Sequence, residues 1–181
     1  MKNLLNLRIL SSPLSYTCFE VVFVKPINLK RLIIAIAIPE IVGFLSSFVT
    51  GGMGSAYNDC VKPPLSPPGI VFPIVWTVLY ALMGIASYLI YEEPRSKDKE
   101  KQEALFFYAL QLAVNFIWPI IFFRFEAYWV AVIVILILLA LVIITAIKFR
   151  ELNKTAFWLL VPYIIWLIFA TYLNIGVAVL N

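Results

Sequence analysis

Two amides and a tryptophan lie on one face of the third apolar segment. Gln111, Asn115 and Trp118 are spaced at i, i+4 and i+7, which places them side by side on a helix. Both amides fall near the middle of a segment long enough to cross a membrane, where an unpaired polar group is costly. They therefore either hydrogen-bond neighbouring helices or face a pocket, and the sequence leaves both interpretations open.

Large aromatic side chains follow helical spacing in two further segments. The second segment carries one such face, Phe72, Trp76, Tyr80 and Met83, and the fifth carries an i+4 ladder, Pro162, Trp166, Ala170 and Asn174. Trp166 lies about 15 Å beyond Ala156 at 1.5 Å per residue, too deep for an interfacial aromatic belt. We therefore predict Trp76 and Trp166 as pocket residues.

The other three tryptophans lie closer to segment ends. Trp129 and Trp158 are explained by the interfacial belt. For Trp118 the belt and the pocket are both consistent with its position.

The usual catalytic residues are missing. The chain has no histidine and only two cysteines, so a Ser-His or Cys-His nucleophile is excluded and no metal site is predicted. Glu40 is the only acid inside an apolar segment. Intramembrane carboxyl groups are functional candidates, but this one could also be protonated or reach a polar neighbour.

The elements that position these residues are membrane-spanning helices. The chain is 63% hydrophobic with a mean hydropathy of +0.97, well above a soluble domain. Apolar runs of about 20 residues, the length that crosses a bilayer, occur five times: residues 32–50, 71–91, 105–123, 128–147 and 157–180. We predict an all-α integral membrane protein, a five-helix bundle with an internal ligand cavity.

The charge of +4 is explained by topology rather than by nucleic acid, for which we predict no binding. Twelve of the 14 Lys and Arg residues fall in the N-terminal arm and in the loops after the second and fourth segments. Only Lys62 and Arg124 lie on the other side. The positive-inside rule then predicts a cytoplasmic N-terminus and an external C-terminus, most consistent with a bacterial cytoplasmic (inner) membrane.

The chain divides into residues 1–27, an extension of unknown role, and a membrane domain over residues 28–181. No small-residue cleavage site follows a clean apolar run in the extension, so it is not predicted to be a signal peptide. Residues 51–70 form a loop that ends in four prolines, Pro63, Pro64, Pro67 and Pro68. We expect these prolines to stiffen a rim around the cavity, with Ser66 capping the next helix.

Three stretches resemble one known family. "KPPLSPPGIVFPIVWTVLYALMG", "YALQLAVNFIWPIIFF" and "LLVPYIIWLIFATYLN" look like the TspO family, the tryptophan-rich sensory proteins related to the mitochondrial translocator protein. The resemblance covers residues 28–181. It implies a cavity that binds porphyrins and benzodiazepine- or isoquinoline-type ligands, closed by the long loop after the first helix.

Carried over residue by residue, the resemblance implies a specific ligand site. It consists of Pro63, Pro64, Trp76, Gln111, Asn115, Trp118, Trp166 and Ala170; to these the helical spacing adds Tyr80 and Asn174. In bacterial relatives protoporphyrin IX is degraded photo-oxidatively, which would make Trp76 and Trp166 catalytic. No cofactor is then required, and the porphyrin is ligand or substrate.

This chain also departs from the family pattern. An aromatic pair common in the first loop reads Ala56–Tyr57 here, which leaves Tyr57 as the aromatic residue of the lid. Glu40 is not expected from the family. The C-terminal "LNIGVAVLN" lacks the proposed cholesterol motif, so cholesterol recognition is not predicted.

The sequence thus favours a membrane receptor or sensor for tetrapyrroles. The alternative is an enzyme-like, light-dependent degradation of porphyrin, and transport ranks below both because no charged path and no repeat are visible. Ala109 and Ala113 form a small-xxx-small pair that fits either a homodimer, which the family favours, or packing within the chain.

Overall fold

The described part of the chain folds into five long helices. The computed structural model describes residues 27–51, 60–94 and 96–181. Its helices are α1 (Leu29–Val49), α2 (Val71–Glu92), α3 (Asp98–Pro119), α4 (Tyr128–Leu152) and α5 (Lys154–Leu180). All five are long and apolar enough to cross a membrane, α3 together with the turn that follows it. The predicted all-α membrane bundle is therefore confirmed; the lid residue Tyr57 lies outside the described residues.

The helices extend beyond the apolar runs that predicted them, and α3 and α5 do so at their N-terminal ends. Helix α3 begins at Asp98, and its first turn carries Asp98 and Glu100, whose charges are favourable at a helix N-terminus. Helix α5 begins at Lys154, and the Asn153 side chain accepts a 3.1 Å hydrogen bond from the Ala156 N–H. Hydropathy detects only the apolar, membrane-crossing part of each helix, whereas capping determines where the helix starts.

The start of α2 differs from the expectation for Ser66. Helix α2 begins at Val71 without a side-chain cap, and the Ser66 hydroxyl instead donates a 2.7 Å hydrogen bond to the Pro63 carbonyl. The prediction that Ser66 caps this helix was wrong. Ser66 closes a turn in the proline-rich loop instead.

Helix α3 ends in a π-helical turn, Ile120–Arg124, directly after Pro119. A proline has no N–H for the helical ladder, and π-turns commonly occur where the ladder is interrupted. Here the turn buries Phe122 and Phe123, and the Trp118 ring stacks on Phe122 at 5.5 Å between centroids.

Helix α1 is the least enclosed helix of the bundle. Only 11% of its apolar stretch is buried, compared with 50% for α2. It nevertheless approaches α2 closely at Gly84, where a Cβ atom would lie 2.5 Å from the Ile36 Cα and 2.6 Å from the Ala35 oxygen. Ser46 fastens α1 to α3 through a 2.9 Å hydrogen bond to the Phe116 carbonyl.

The proline-rich loop is fastened to the end of α5. A Cβ atom on Gly176 would come within 2.5 Å of the Pro63 ring, so glycine is what permits this contact. The Tyr172 hydroxyl donates a 2.8 Å hydrogen bond to the Pro64 carbonyl. The Asn181 amide both accepts from the Val61 N–H and donates to the Val61 oxygen, each at 3.0 Å.

Candidate ligand-binding cavity

A cavity of about 220 Å³ opens between α1, α2 and α3. Three of the residues predicted to bind ligand meet there, namely Trp76, Tyr80 and Asn115. Its other lining residues are Glu40, Gly43, Phe44, Ser46, Ser47, Pro73, Thr77 and Pro119. The cavity therefore combines an aromatic wall from α2 with polar groups from α1 and α3.

A chain of hydrogen bonds runs behind this cavity. The Tyr80 hydroxyl donates to the Asn115 Oδ1 at 2.7 Å, and the Asn115 Nδ2 donates to the Tyr163 hydroxyl at 2.6 Å. Tyr163 in turn donates to the Gln111 Oε1 at 3.3 Å. The chain links α2, α3 and α5, so the two amides are paired between helices. Asn115 also lines the cavity, whereas Gln111 lies behind it.

The rings of Trp76, Tyr80 and Tyr163 form one aromatic cluster. The Trp76 centroid lies 5.5 Å from that of Tyr80 and 6.0 Å from that of Tyr163, distances typical of favourable aromatic pairs. Tyr163 is fully buried, and sequence reasoning did not select it. Its helical register with the buried residues Leu167, Ala170 and Asn174 is the signal that could have identified it.

Three other predicted residues surround a second, much smaller hollow of about 30 Å³. Trp118, Ala170 and Asn174 line it together with Ser66 and Phe72. Among the described residues, the Trp118 indole N–H and both polar atoms of the Asn174 amide are buried without a hydrogen-bond partner. These polar groups lie next to the proline-rich loop rather than in the larger cavity.

Trp166 lies apart from both hollows. Its ring makes an edge contact with Phe72 at 5.9 Å and a tilted contact with Phe169 at 5.7 Å between centroids. It lines an open apolar groove between α2 and α5. Its indole N–H is likewise buried without a partner among the described residues. The two tryptophans selected from the sequence therefore do not meet. Trp76 points from α2 into the cavity, and Trp166 on α5 lies against another side of α2.

Pro63 and Pro64, two prolines of the predicted rim, lie at the C-terminal end of α5. Pro63 is buried against Gly176, and Pro64 is exposed with its carbonyl bonded to Tyr172. Neither residue lines the 220 Å³ cavity. Within the described ranges, no group of three or more His, Cys, Asp or Glu residues could hold a metal ion.

The chain is similar to proteins of one family. The model of the TspO/MBR family matches residues 35–180. The Translocator protein of Bos taurus is 36% identical over 138 residues, which are 76% of this chain and 82% of that protein. The Tryptophan-rich protein TspO of Chlorobaculum tepidum is 34% identical over 155 residues, 85% of this chain and 98% of that protein. The Tryptophan-rich sensory protein of Cereibacter sphaeroides is 38% identical over 125 residues, which are 69% of this chain and 76% of that protein.

Proposed function

This chain belongs to the TspO/MBR family, and from that membership we propose that it is a membrane receptor or sensor that binds free-base porphyrins such as protoporphyrin IX. The observation that carries the proposal is the cavity in which the Trp76 and Tyr80 rings, tilted by 31° to each other, form an aromatic wall beside Asn115. Such a wall suits a planar apolar ring through stacking and dispersion. No histidine is available to hold a haem iron, which favours the metal-free macrocycle.

The volume of the cavity constrains how a macrocycle binds. At about 220 Å³ it lies below the roughly 300–1,000 Å³ typical of pockets that enclose a drug-sized ligand. One edge of the ring therefore enters the cavity, or α1 moves outward to enlarge it. Because only a small fraction of α1 is buried, moving this helix costs less free energy than moving either of the other two helices around the cavity.

Titration of the purified protein with protoporphyrin IX in the dark tests the proposal. We expect saturable quenching of tryptophan fluorescence. Trp76→Phe should weaken affinity about 2- to 12-fold, because stacked aromatic pairs contribute about 0.5–1.5 kcal/mol beyond their buried area. Trp129→Phe is the matched control, since Trp129 is 60% exposed and lies outside the cavity. Quenching that never saturates, or equal affinities for the two variants, would contradict the proposal.

Light-dependent oxidative degradation of the porphyrin is the second candidate function. The supporting observation is the contact of Trp76 with two tyrosine rings, since indole and phenol side chains are oxidisable. This reading requires no acid–base residue or metal. Absorbance spectra of the bound porphyrin, recorded over time in the dark and under illumination, distinguish a stable complex from a degraded ligand.

The distribution of charge supports an orientation in the membrane. Arg31 pairs with Glu92 at 2.7 Å, and Lys148 pairs with Glu103 at 2.8 Å, at the end of the bundle where most basic residues lie. We infer that this end faces the cytoplasm of a bacterial-type cell. The protein then sits in the cytoplasmic membrane with its C-terminus outside.

The lipid-facing side of α3 supports a homodimer. Ala109 and Ala113 are both exposed in the single chain, so their small side chains are available for close approach of a second helix. The bulkier exposed residues Phe106, Leu110 and Ile117 flank them.

A further inference from the structure

Glu40 places a carboxyl group in the apolar middle of α1. It follows the helix start at Leu29 by about 16 Å at 1.5 Å per residue, roughly half the thickness of the hydrocarbon region. Its side chain lines the 220 Å³ cavity. Among the described residues it has neither a hydrogen-bond nor an ion-pair partner. A carboxyl group at this depth without a partner among those residues is a strong candidate for contact with a ligand.

Three donors close to Glu40 are already used within the protein. The Tyr80 hydroxyl donates to Asn115, one Asn115 N–H donates to Tyr163, and the Ser46 hydroxyl donates to the Phe116 carbonyl. A hydroxyl group has one hydrogen but two lone pairs, and a carboxylate has only acceptors. Tyr80, Ser46 and Glu40 therefore present mainly oxygen acceptors to the cavity.

Two further hydroxyl groups and one indole N–H also line this cavity. Ser47 is half-buried and Thr77 is exposed, and Trp76 belongs to the aromatic wall. These groups are neutral hydrogen-bonding groups. Glu40 supplies the only carboxyl group among the described residues that line the cavity.

The backbone of α1 brings this carboxyl group close to the aromatic wall. Gly43 lies one turn after Glu40 on the same face of α1, and a Cβ atom there would overlap the Tyr80 ring. The absence of that side chain lets Tyr80 lie against α1. A flat ligand on Trp76 and Tyr80 thus has Glu40 beside it.

We propose that Glu40 determines ligand specificity, so that the cavity prefers flat apolar ligands carrying a protonated amine or another N–H donor. The carboxyl group accepts a hydrogen bond from the ligand's N–H more strongly than the neutral oxygens of Tyr80 and Ser46 do. The reason is that charge-assisted hydrogen bonds are about twice as strong as neutral ones. Free-base tetrapyrroles, which carry pyrrole N–H groups, belong to this class. The inference rests on the proposed ligand-binding function of the cavity.

Two probes that share the fused pyrene ring system and differ in charge test the inference. 1-Pyrenemethylamine is cationic at neutral pH, and 1-pyrenemethanol is its neutral counterpart. Their affinities are measured by energy transfer from tryptophan to pyrene, with the protein in nanodiscs of zwitterionic phosphatidylcholine. We expect the wild type to prefer the amine about tenfold, from the strength of a hydrogen bond to a charged group. Glu40→Gln should reduce this preference to less than about twofold without changing the affinity for the alcohol.

The controls separate Glu40 from general effects of charge and folding. Glu126→Gln removes one negative charge from an exposed residue outside the cavity and should retain the preference. Affinity for the alcohol reports whether the cavity of each variant is intact. If Glu40→Gln is unstable, Glu40→Leu, which suits a lipid-embedded helix, replaces it and should likewise lose the preference.

Three outcomes would overturn the inference. They are a wild type without preference for the amine, a preference retained in Glu40→Gln or Glu40→Leu, and a wild type that binds neither probe. A protoporphyrin IX titration of the same sample then identifies what has failed. Saturable porphyrin binding means that only the role of Glu40 is wrong, whereas its loss means that the proposed function fails as well.

Discussion

Asn115 is the residue whose replacement tests the hydrogen-bond chain most directly. Asn115→Leu keeps the approximate volume of the side chain but removes its bonds to Tyr80 and Tyr163, at 2.7 and 2.6 Å. Hydrogen bonds between membrane helices contribute about 0.6 kcal/mol on average and up to about 1.7 kcal/mol. Two such bonds therefore predict a loss of about 1–3 kcal/mol in the free energy of unfolding. The upper half of this range is expected because Asn115 and Tyr163 are almost completely buried. The Tyr163 oxygen then loses its donor without access to water, although its own bond to Gln111 remains.

The loss is measured by reversible unfolding in mixed micelles of increasing SDS mole fraction, followed by far-UV circular dichroism. Gln102→Leu is the matched control, because Gln102 is an exposed amide on the same helix and its replacement should change stability by less than about 0.5 kcal/mol. A double-mutant cycle with Tyr80→Phe isolates the Tyr80–Asn115 bond and should give a coupling of at least about 0.5 kcal/mol. Strict additivity in that cycle, or an Asn115→Leu protein as stable as the control, would refute the reasoning.

Two further predictions concern the proline-rich loop and the tryptophans. Gly176→Ala should lower the midpoint of thermal unfolding by about 2–10 °C and increase proteolysis of the proline-rich loop. The reason is that the new Cβ atom meets the Pro63 ring, and overpacking of this kind costs about 1–3 kcal/mol. An unchanged midpoint would show that the loop shifts freely. Under illumination, Trp76→Phe should slow single-turnover loss of bound protoporphyrin IX more than Trp166→Phe does, because only Trp76 lies in the cavity; full activity in both variants would exclude a tryptophan mechanism.

The fold was predictable from the sequence because lipid leaves the backbone few alternatives. A segment that crosses the hydrocarbon region has to pair its own N–H and C=O groups, so apolar runs of about 20 residues specify helices directly. Trp76, Tyr80 and Asn115 were predicted as ligand residues from helical spacing and the family resemblance, and they line one cavity. The caps and the π-helical turn after Pro119 depend on local hydrogen bonding, which hydropathy does not report.

The contacts of α5 were less predictable because an i+4 ladder drifts around a helix. Each step of four residues turns the helix by about 400°, or about 40° beyond a full turn. The ladder that starts at Pro162 therefore begins on an exposed position and reaches the buried face only at Ala170 and Asn174. Tyr163, one residue away from the ladder, occupies the fully buried position. Spacings that alternate between three and four residues would have followed the buried face more closely.

The separation of Trp76 from Trp166 bears on which function the cavity can perform alone. Binding of a flat ligand needs one aromatic wall, and Trp76 with Tyr80 provides it inside the cavity. A reaction that uses both tryptophans needs a ligand that also reaches the groove between α2 and α5, where Trp166 lies against Phe72. Such a ligand has to extend past α2. Alternatively, the Trp166 ring has to turn inward toward the smaller hollow, where the Trp118 indole N–H and the Asn174 amide lie. Binding therefore requires less rearrangement of this structure than a reaction that uses both tryptophans, and it is the function that the arrangement of side chains favours.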